Sequence, residues 1–165
     1  MWEHKLNDPK SSEKDKALAK EFLDSDIVQG KYQDGFPGII GIIIKKDNKT
    51  LILYHNKTGE YSIPTGKVEY REKDEEAVIR EAEEETGLII TKCSYKGFVK
   101  FKRKKDDKDI IIRVYKADDY NGTATNKEPD KHYSLRWLSK QEINNLIRLD
   151  QAGDTIILSK KNSWL

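Results

Sequence analysis

The sequence predicts a mixed α/β fold in which strands flank a central helix. Isoleucine-rich runs separated by turn residues begin at residue 36, which is typical of successive strands. The apolar period becomes helical after residue 66, and strand-like runs return after residue 88. A length of 165 residues favours one hydrophobic core, so these elements are expected to form a single domain.

The predicted strands before the helix share near-continuous hydrophobicity, which favours strands covered on both faces. They lie at 36–46, 51–56 and 61–64. The helix is predicted from about Asp74 to Glu85, with Gly87 where a helix would stop.

The elements after the helix are shorter and are separated by polar segments. Strands are predicted at 88–93, 95–102 and 110–116, the last two joined by the charged tip KRKKDDKD. A loop follows at 118–134, then a strand at 134–139. A capping box from Ser139 to Glu142 predicts a helix at 139–149, whereas 154–165 is compatible with helix or strand.

The N-terminal residues 1–30 are interpreted as a polar extension of a domain at 31–165. Leu18, Phe22 and Leu23 share a helical face, which predicts a short amphipathic helix that docks on the domain or on a partner subunit, as in a homodimer. A single cysteine excludes an internal disulfide framework, and no signal-peptide pattern is present. The longest apolar run is too short to span a membrane, so we expect a cytoplasmic protein without a membrane partner.

Charge is concentrated in residues 66–88, GKVEYREKDEEAVIREAEEETGL. This segment carries nine acidic and four basic residues, or −5, in a chain of net charge +2, so the remainder carries +7. Such an acidic island suits a site that holds cations and receives an anionic substrate.

The acidic residues of the predicted helix form one face. At about 100° per residue, Glu81, Glu84 and Glu85 fall within roughly 100° of arc, with Ala77 between them, while Val78, Ile79 and Ala82 lie on another side. A solvated surface helix is the ordinary alternative. However, lysines do not alternate with these glutamates, and the cluster lies near the helix C-terminus, where the macrodipole disfavours anions. Clustered carboxylates of this kind are natural ligands for Mg²⁺.

The same residues resemble the Nudix box, G-x5-E-x7-R-E-U-x-E-E-x-G-U, in which U is a bulky aliphatic residue. All seven fixed positions agree, and they are Gly66, Glu72, Arg80, Glu81, Glu84, Glu85 and Gly87. The resemblance extends over about residues 38–147 and implies a Nudix-type α/β/α sandwich with a central mixed sheet and a loop-helix-loop. Ala82 is smaller than the usual aliphatic, and Thr65 stands where many members have glycine.

The resemblance implies a role for each matched position. Glu84 and Glu85 would bind Mg²⁺, or Mn²⁺ as a substitute, together with the Thr65 carbonyl. Glu81 would contact the metal through water or act as the base, with Arg80 orienting a catalytic glutamate. The other expected contributions are structural, with Glu72 holding loop and helix together, Gly66 and Gly87 serving backbone geometry, and Glu83 merely solvated.

The resemblance also implies a reaction, the hydrolysis by water of a nucleoside diphosphate linked to another group. The segment NKEPDKHYSLRWLS resembles members that hydrolyse free nucleoside triphosphates, including MutT-like enzymes, and there Glu128 is a candidate further metal ligand. A polar loop with Pro129 as a turn residue is the alternative. The substrate-binding residues stay open.

Two other functions remain. The basic tip KFKRKK leaves RNA as a substrate, in an RNA 5′-end pyrophosphohydrolase, although a solvated hairpin is favoured. A non-catalytic nucleotide-binding or regulatory module is the rival from another class. Such a module is expected to lose glutamates of the box, and none is lost here.

Overall fold

The computed structural model describes residues 38–165 together with the isolated Glu13. Its first sheet is mixed, with strand order β5-β1-β7-β6. The strands are β1 Ile39–Ile43, β5 Thr65–Lys67, β6 Ile89–Lys102 and β7 Asp109–Asn121. Strand β1 pairs parallel with β7 and antiparallel with β5. Its residues from Ile40 to Ile43 are buried, as expected for a strand covered on both faces.

A second sheet is built around β3 and is antiparallel. Its strands are β2 Lys45–Lys46, β3 Lys49–His55, β4 Tyr61–Ser62 and β8 His132–Leu138. Strand β3 pairs with β2, β4 and β8, and the β2–β3 turn follows directly from β1. The chain therefore passes from one sheet to the other through the run of isoleucines that the sequence shows.

Within residues 38–165 three helices complete the layers, namely α1 Asp74–Thr86, α2 Lys140–Arg148 and α3 Asp154–Lys161. One core packs Ala77, Val78 and Ala82 of α1 against the first sheet. A second core, on the other face, contains Ile143 of α2 and Ile156 of α3. The predicted α/β/α arrangement with a central mixed sheet is confirmed.

A buried ion pair fixes the start of α1. Asp74 accepts hydrogen bonds from Arg113 Nε at 2.6 Å, from Arg113 Nη2 at 2.7 Å and from the Tyr115 hydroxyl at 2.9 Å. Burial, followed by the charge of Asp74, raises the pKa of Tyr115, so the hydroxyl stays protonated and donates. The helix ends at Gly87, whose φ of 74° is the left-handed conformation that favours glycine.

Several predicted element boundaries are wrong for a common reason, which is that long-range pairing decides them. Strand β6 is continuous through Ser94, because β7 pairs along its whole length, with irregularities that absorb the break. Strand β7 continues to Asn121, within the predicted loop, and β8 begins at His132. The ambiguous C-terminal segment forms helix α3. Ile79, expected on the apolar side, is 38% exposed because the sheet covers only the narrower stripe described above.

The amphipathic helix around residues 18–23 and the boundary at residue 30 lie outside the described residues. Within residues 38–165, no helix has the length and apolarity needed to cross a bilayer.

Candidate active site

The box residues meet where α1 crosses β5. A Cβ atom on Gly66 would lie 2.1 Å from Glu81 Cδ and 2.3 Å from Glu81 Cγ. Such separations are far inside van der Waals contact, so only glycine leaves room for this glutamate. The sequence predicts a backbone role for Gly66, whereas the structure shows that the space taken by a neighbouring side chain demands it.

Arg80 connects the loop before α1 with the acidic face of the helix. Its Nε donates to Glu72 Oε2 at 2.8 Å and its Nη2 to Glu72 Oε1 at 2.9 Å, which makes a bidentate pair. Its Nη1 donates to Glu81 Oε1 at 2.8 Å and to Glu84 Oε2 at 3.2 Å. Nη2 also donates to the Lys67 carbonyl at 2.9 Å. One guanidinium therefore positions three carboxylates of the box.

The bidentate pair shifts the pKa of Arg80 and the pKa of Glu72 in the directions that its hydrogen bonds favour. The hydrogen bond with Glu72 is the main cause that raises the pKa of Arg80, while the same bond lowers the pKa of Glu72. Both groups are consequently ionised at any physiological pH.

Glu85 lies deepest of the acidic residues. Only 5% of it is exposed, and its Oε2 has no hydrogen-bond partner within the part of the chain that the structure describes. Burial, followed by the charges of Glu81 and Glu128, raises the pKa of Glu85 to about 9. A buried carboxylate without a partner is costly unless a cation or a proton neutralises it.

Glu81 and Glu84 differ in exposure although both face Arg80. The Glu81 side chain is 13% exposed, and burial is the main cause that raises its pKa, against the opposing effect of Arg80. The Glu84 side chain is 53% exposed. Ala77, which the helical wheel places between Glu84 and Glu81, is fully buried. Part of the acidic face is thus turned toward the sheet, which the sequence pattern alone does not reveal.

The loop that carries Glu128 returns to the end of α1. The amides of Lys127 and Thr125 donate to the carbonyls of Glu85 at 3.2 Å and Thr86 at 2.8 Å. Glu128 forms an ion pair with Lys131 at 2.8 Å. The charge of Glu128 contributes to raising the pKa of both Glu81 and Glu85. The loop therefore brings Glu128 into the neighbourhood of the box acids.

The donor chemistry of this region fits a hard divalent cation. Glu85 offers an unpartnered buried oxygen, and neighbouring carboxylates raise its pKa, as expected of acids that share a site. In residues 38–165, however, no three His, Cys, Asp or Glu side chains converge closely enough to hold a metal ion. Arg80 holds Glu81 and Glu84 by one oxygen each, so these side chains would turn toward Glu85 to complete a ligand set.

Thr65 borders a cavity of about 540 Å³ that the sequence did not indicate. Other lining residues come from distant parts of the chain and include His55, Ser62, Glu60, Lys104 and Asp154. A hydrogen bond of 2.6 Å joins His55 Nε2 to Ser62 Oγ, and an ion pair of 2.7 Å joins Lys104 to Glu60. Burial raises the pKa of Asp154, the first residue of α3. The cavity thus adjoins Thr65, the residue before the box, and has polar groups along its wall.

Comparison with known proteins agrees with the geometry. The family model described as NUDIX domain matches residues 36–158. An uncharacterized Nudix hydrolase of Bacillus subtilis, YvcI, is 31% identical over 130 residues, which cover 77% of this chain and 81% of that protein. The CTP pyrophosphohydrolase of Escherichia coli is 28% identical over 108 residues, covering 63% and 76%.

Solved structures extend the similarity to the fold. The crystal structure of a MutT NUDIX hydrolase from Burkholderia pseudomallei superposes with a TM-score of 0.59 at 27% identity. The match covers 70% of this chain and 96% of that one. The residues that the family model matches, 36–158, contain both sheets and the acidic helix.

Proposed function

The chain belongs to the Nudix hydrolase family, whose members act on phosphoric anhydrides and generally use divalent metal ions, and we propose that it hydrolyses nucleoside triphosphates. Water would attack phosphorus, and a nucleoside monophosphate and pyrophosphate would leave. The observation that carries this proposal is the buried, unpartnered oxygen of Glu85 among the box carboxylates.

The proposed cofactor is Mg²⁺, with Mn²⁺ as a substitute. The residues that would hold it are Glu84, Glu85, Glu81, Glu128 and the carbonyl of Thr65. A divalent cation supplies charge neutralisation for the diphosphate oxygens when it is bound. Carboxylate and carbonyl oxygens are the ligands that Mg²⁺ prefers, which supports this choice over softer metals.

The chain's own residues supply positioning and a base. Glu81 is proposed to accept the proton of the attacking water, because burial moves its pKa toward neutrality, where a general base works best. Arg80 keeps Glu81 in place through the 2.8 Å bond from Nη1, and Glu72 keeps Arg80 in place through the bidentate pair. Gly66 leaves room for Glu81, and Gly87 ends the helix so that the loop of Glu128 can return.

The cavity beside Thr65 is proposed to receive the nucleoside. The cavity lies on the α2 face of the sheet and the box acids lie on the α1 face, so the phosphates would pass around the edge strand β5. Its volume of about 540 Å³ lies in the range of small-molecule sites, and its wall combines apolar side chains with Asp154 and the His55–Ser62 pair. The similarity to a CTP pyrophosphohydrolase supports a triphosphate substrate. Trp137 packs against the core on the α1 side and is not assigned to nucleoside binding.

RNA 5′ ends and pure nucleotide binding remain the alternatives. The predicted hairpin tip is largely paired within itself or with neighbours, since Arg103 contacts Asp106, Lys102 contacts Asp109 and Lys104 contacts Glu60. These pairs favour the solvated-hairpin reading. Cytoplasmic location and a homodimer stay predictions.

The test is turnover with Mg²⁺ and Mn²⁺ across oxidised and ordinary nucleoside triphosphates, nucleotide sugars, dinucleoside polyphosphates, ADP-ribose and triphosphorylated RNA. Glu84→Gln and Glu85→Gln should each lower turnover by at least about 10²-fold, as loss of a metal contact does. Glu83→Gln is the matched control, because it removes the same charge from an exposed position of the same helix. Turnover close to wild type in both site variants would overturn the proposal.

If wild-type protein binds nucleotide without metal-dependent turnover of any substrate in the panel, the non-catalytic alternative is correct. If triphosphorylated RNA is hydrolysed far faster than free nucleotides, the RNA alternative is correct.

A further inference from the structure

Four lysines converge on the sheet face opposite α1. Lys116 of β7 lies between Tyr115 and Ala117, which both face the α1 core, so alternation turns it to the other face. Lys45 follows Ile43 by two residues and shares its face, and Ile43 is the pairing partner of Lys116. Lys140 is the first residue of α2, which packs on this same face through Ile143.

The fourth lysine is placed by an irregularity in β6. Tyr95 pairs with Tyr115 and Gly97 pairs with Val114, so Lys96 is an extra residue between two paired positions. Such bulges re-aim side chains. Lys96 and Lys116 lie on neighbouring strands about 4.8 Å apart, and Lys45 of β2 follows the Lys116 partner Ile43 by two residues. These residues, Lys45, Lys96, Lys116 and Lys140, are called the lysine cluster below.

The cluster is crowded and lacks compensation. Lys45, Lys96 and Lys116 are each half-buried, and no cluster member forms an ion pair within the described residues. The pKa of Lys45 is lowered by burial first, and then by the charges of Lys116, Lys140 and Lys96. A hydrogen bond of 2.8 Å from the Tyr120 hydroxyl to the Lys45 carbonyl fixes the backbone at this position.

The nearest carboxylate of α2 is engaged elsewhere. Glu142 accepts from the Ser139 amide at 3.1 Å as part of the capping box. The charges that act on Glu142 come from Lys49 and Arg136, which are not members of the cluster. The capping box therefore does not neutralise the cluster.

The position of Lys140 is a separate indication of an anion. A cation in the first turn of a helix opposes the macrodipole, whose positive end lies there. The helix dipole and four ammonium groups thus concentrate positive charge at one place, although each feature alone costs stability. An anion with more than one phosphate group would offset all of these costs together.

We propose that the lysine cluster is a binding site for adjacent phosphate groups, separate from the candidate active site. The ligand is a free oligophosphate or the backbone of a nucleic acid strand, which present the same closely spaced anions. The site lies on the α2 face of the sheet, whereas the box acids lie on the α1 face, so phosphate binding here is independent of hydrolysis.

The test compares two double variants of the full chain with equal net charge. Lys45→Gln with Lys116→Gln removes two cluster members, and Lys92→Gln with Lys100→Gln removes two exposed lysines of β6 outside it. Binding of a fluorescent single-stranded oligoribonucleotide is followed by anisotropy against salt concentration, in EDTA so that divalent cations do not contribute. Tripolyphosphate is added as a competitor.

The cluster variant should bind the oligoribonucleotide about tenfold more weakly than wild type, with a shallower salt dependence. The control variant should stay within about twofold of wild type. Tighter binding of tripolyphosphate than of the oligoribonucleotide, measured by the competition, would assign the site to free oligophosphates, and the reverse order would assign it to a nucleic acid backbone. If wild type binds neither probe, or both variants weaken binding equally, the proposal is wrong.

Two checks separate binding from folding and from catalysis. The unfolding midpoint of each variant is measured first, and Lys45→Met with Lys116→Met, which keeps the aliphatic stems, replaces the glutamine pair if that pair is destabilised. Nucleoside triphosphate hydrolysis should be the same in wild type and both variants. A failure of the phosphate site therefore leaves hydrolysis intact, and a failure of the proposed hydrolysis leaves the binding result intact.

Discussion

Substitution of Gly66 by alanine should disturb Glu81 directly. The new Cβ would lie 2.1 Å from Glu81 Cδ, about 1 Å or more inside ordinary contact, so the glutamate must move by a comparable distance. Arg80 resists this movement, because it holds Glu81 Oε1 at 2.8 Å while paired with Glu72. Overpacking of this kind costs about 1–3 kcal/mol of unfolding free energy. A displacement of about 1 Å at a reacting group lowers turnover by about 10²-fold.

The assay is a double-mutant cycle with Glu81→Ala, read by urea unfolding. Truncating Glu81 removes the atoms that Cβ would strike, and Gly66 has no positive φ that would strain alanine. Gly66→Ala should therefore cost nothing measurable in the Glu81→Ala background, where it reduces only the entropy of the unfolded chain. An equal loss of stability in both backgrounds would show that Gly66→Ala does not act through contact with the Glu81 side chain.

Three further predictions follow from other contacts. Asp74→Asn should cost about 3–5 kcal/mol in urea unfolding, because it leaves the buried Arg113 without its counter-charge, and a smaller loss than Tyr115→Phe would contradict this. In the folded protein the pKa of His55 is lowered to about 4, first by burial and then by the charge of His132. Between this pH and the ordinary value of 6.5, the unfolded chain therefore binds more protons than the folded chain. Stability should therefore fall as the pH drops through this window, and less so in His55→Gln; equal pH dependence would exclude the effect. Asp154→Ala should raise KM with little change in kcat if the cavity binds the nucleoside, whereas an unchanged KM would remove Asp154 from recognition.

The acidic helix was predictable because its signals are local. The apolar period from Asp74 to Glu85 and the glycine at position 87 all fall within a few helical turns of one another. In the structure the helix ends at Thr86, close to the predicted end. The spacing also placed Glu81, Glu84 and Glu85 on one arc. The spacing could not show that Ala77, which lies within this arc, is buried. It therefore could not show that Glu85 is turned toward the protein interior.

Contacts between distant segments were missed for the opposite reason. Arg113 and Asp74 are separated by 39 residues, and no local pattern links a strand arginine to the first residue of a helix. The cavity beside Thr65 joins three regions, and the lysine cluster depends on the register of neighbouring strands. Such sites require the topology, which composition and periodicity do not specify.

The proposed hydrolysis depends on the binding of a divalent cation by the carboxylates around Glu85. Its most direct test is an anomalous difference map from crystals of the protein soaked in Mn²⁺. We predict one strong peak about 2.0–2.6 Å from Glu85 Oε2, with the side chain of Glu81 or Glu84 turned toward it. Crystals of the Glu85→Gln variant should show no such peak. If the wild-type map has no peak at Glu85, or if the variant map has the same peak, Glu85 does not bind the cation.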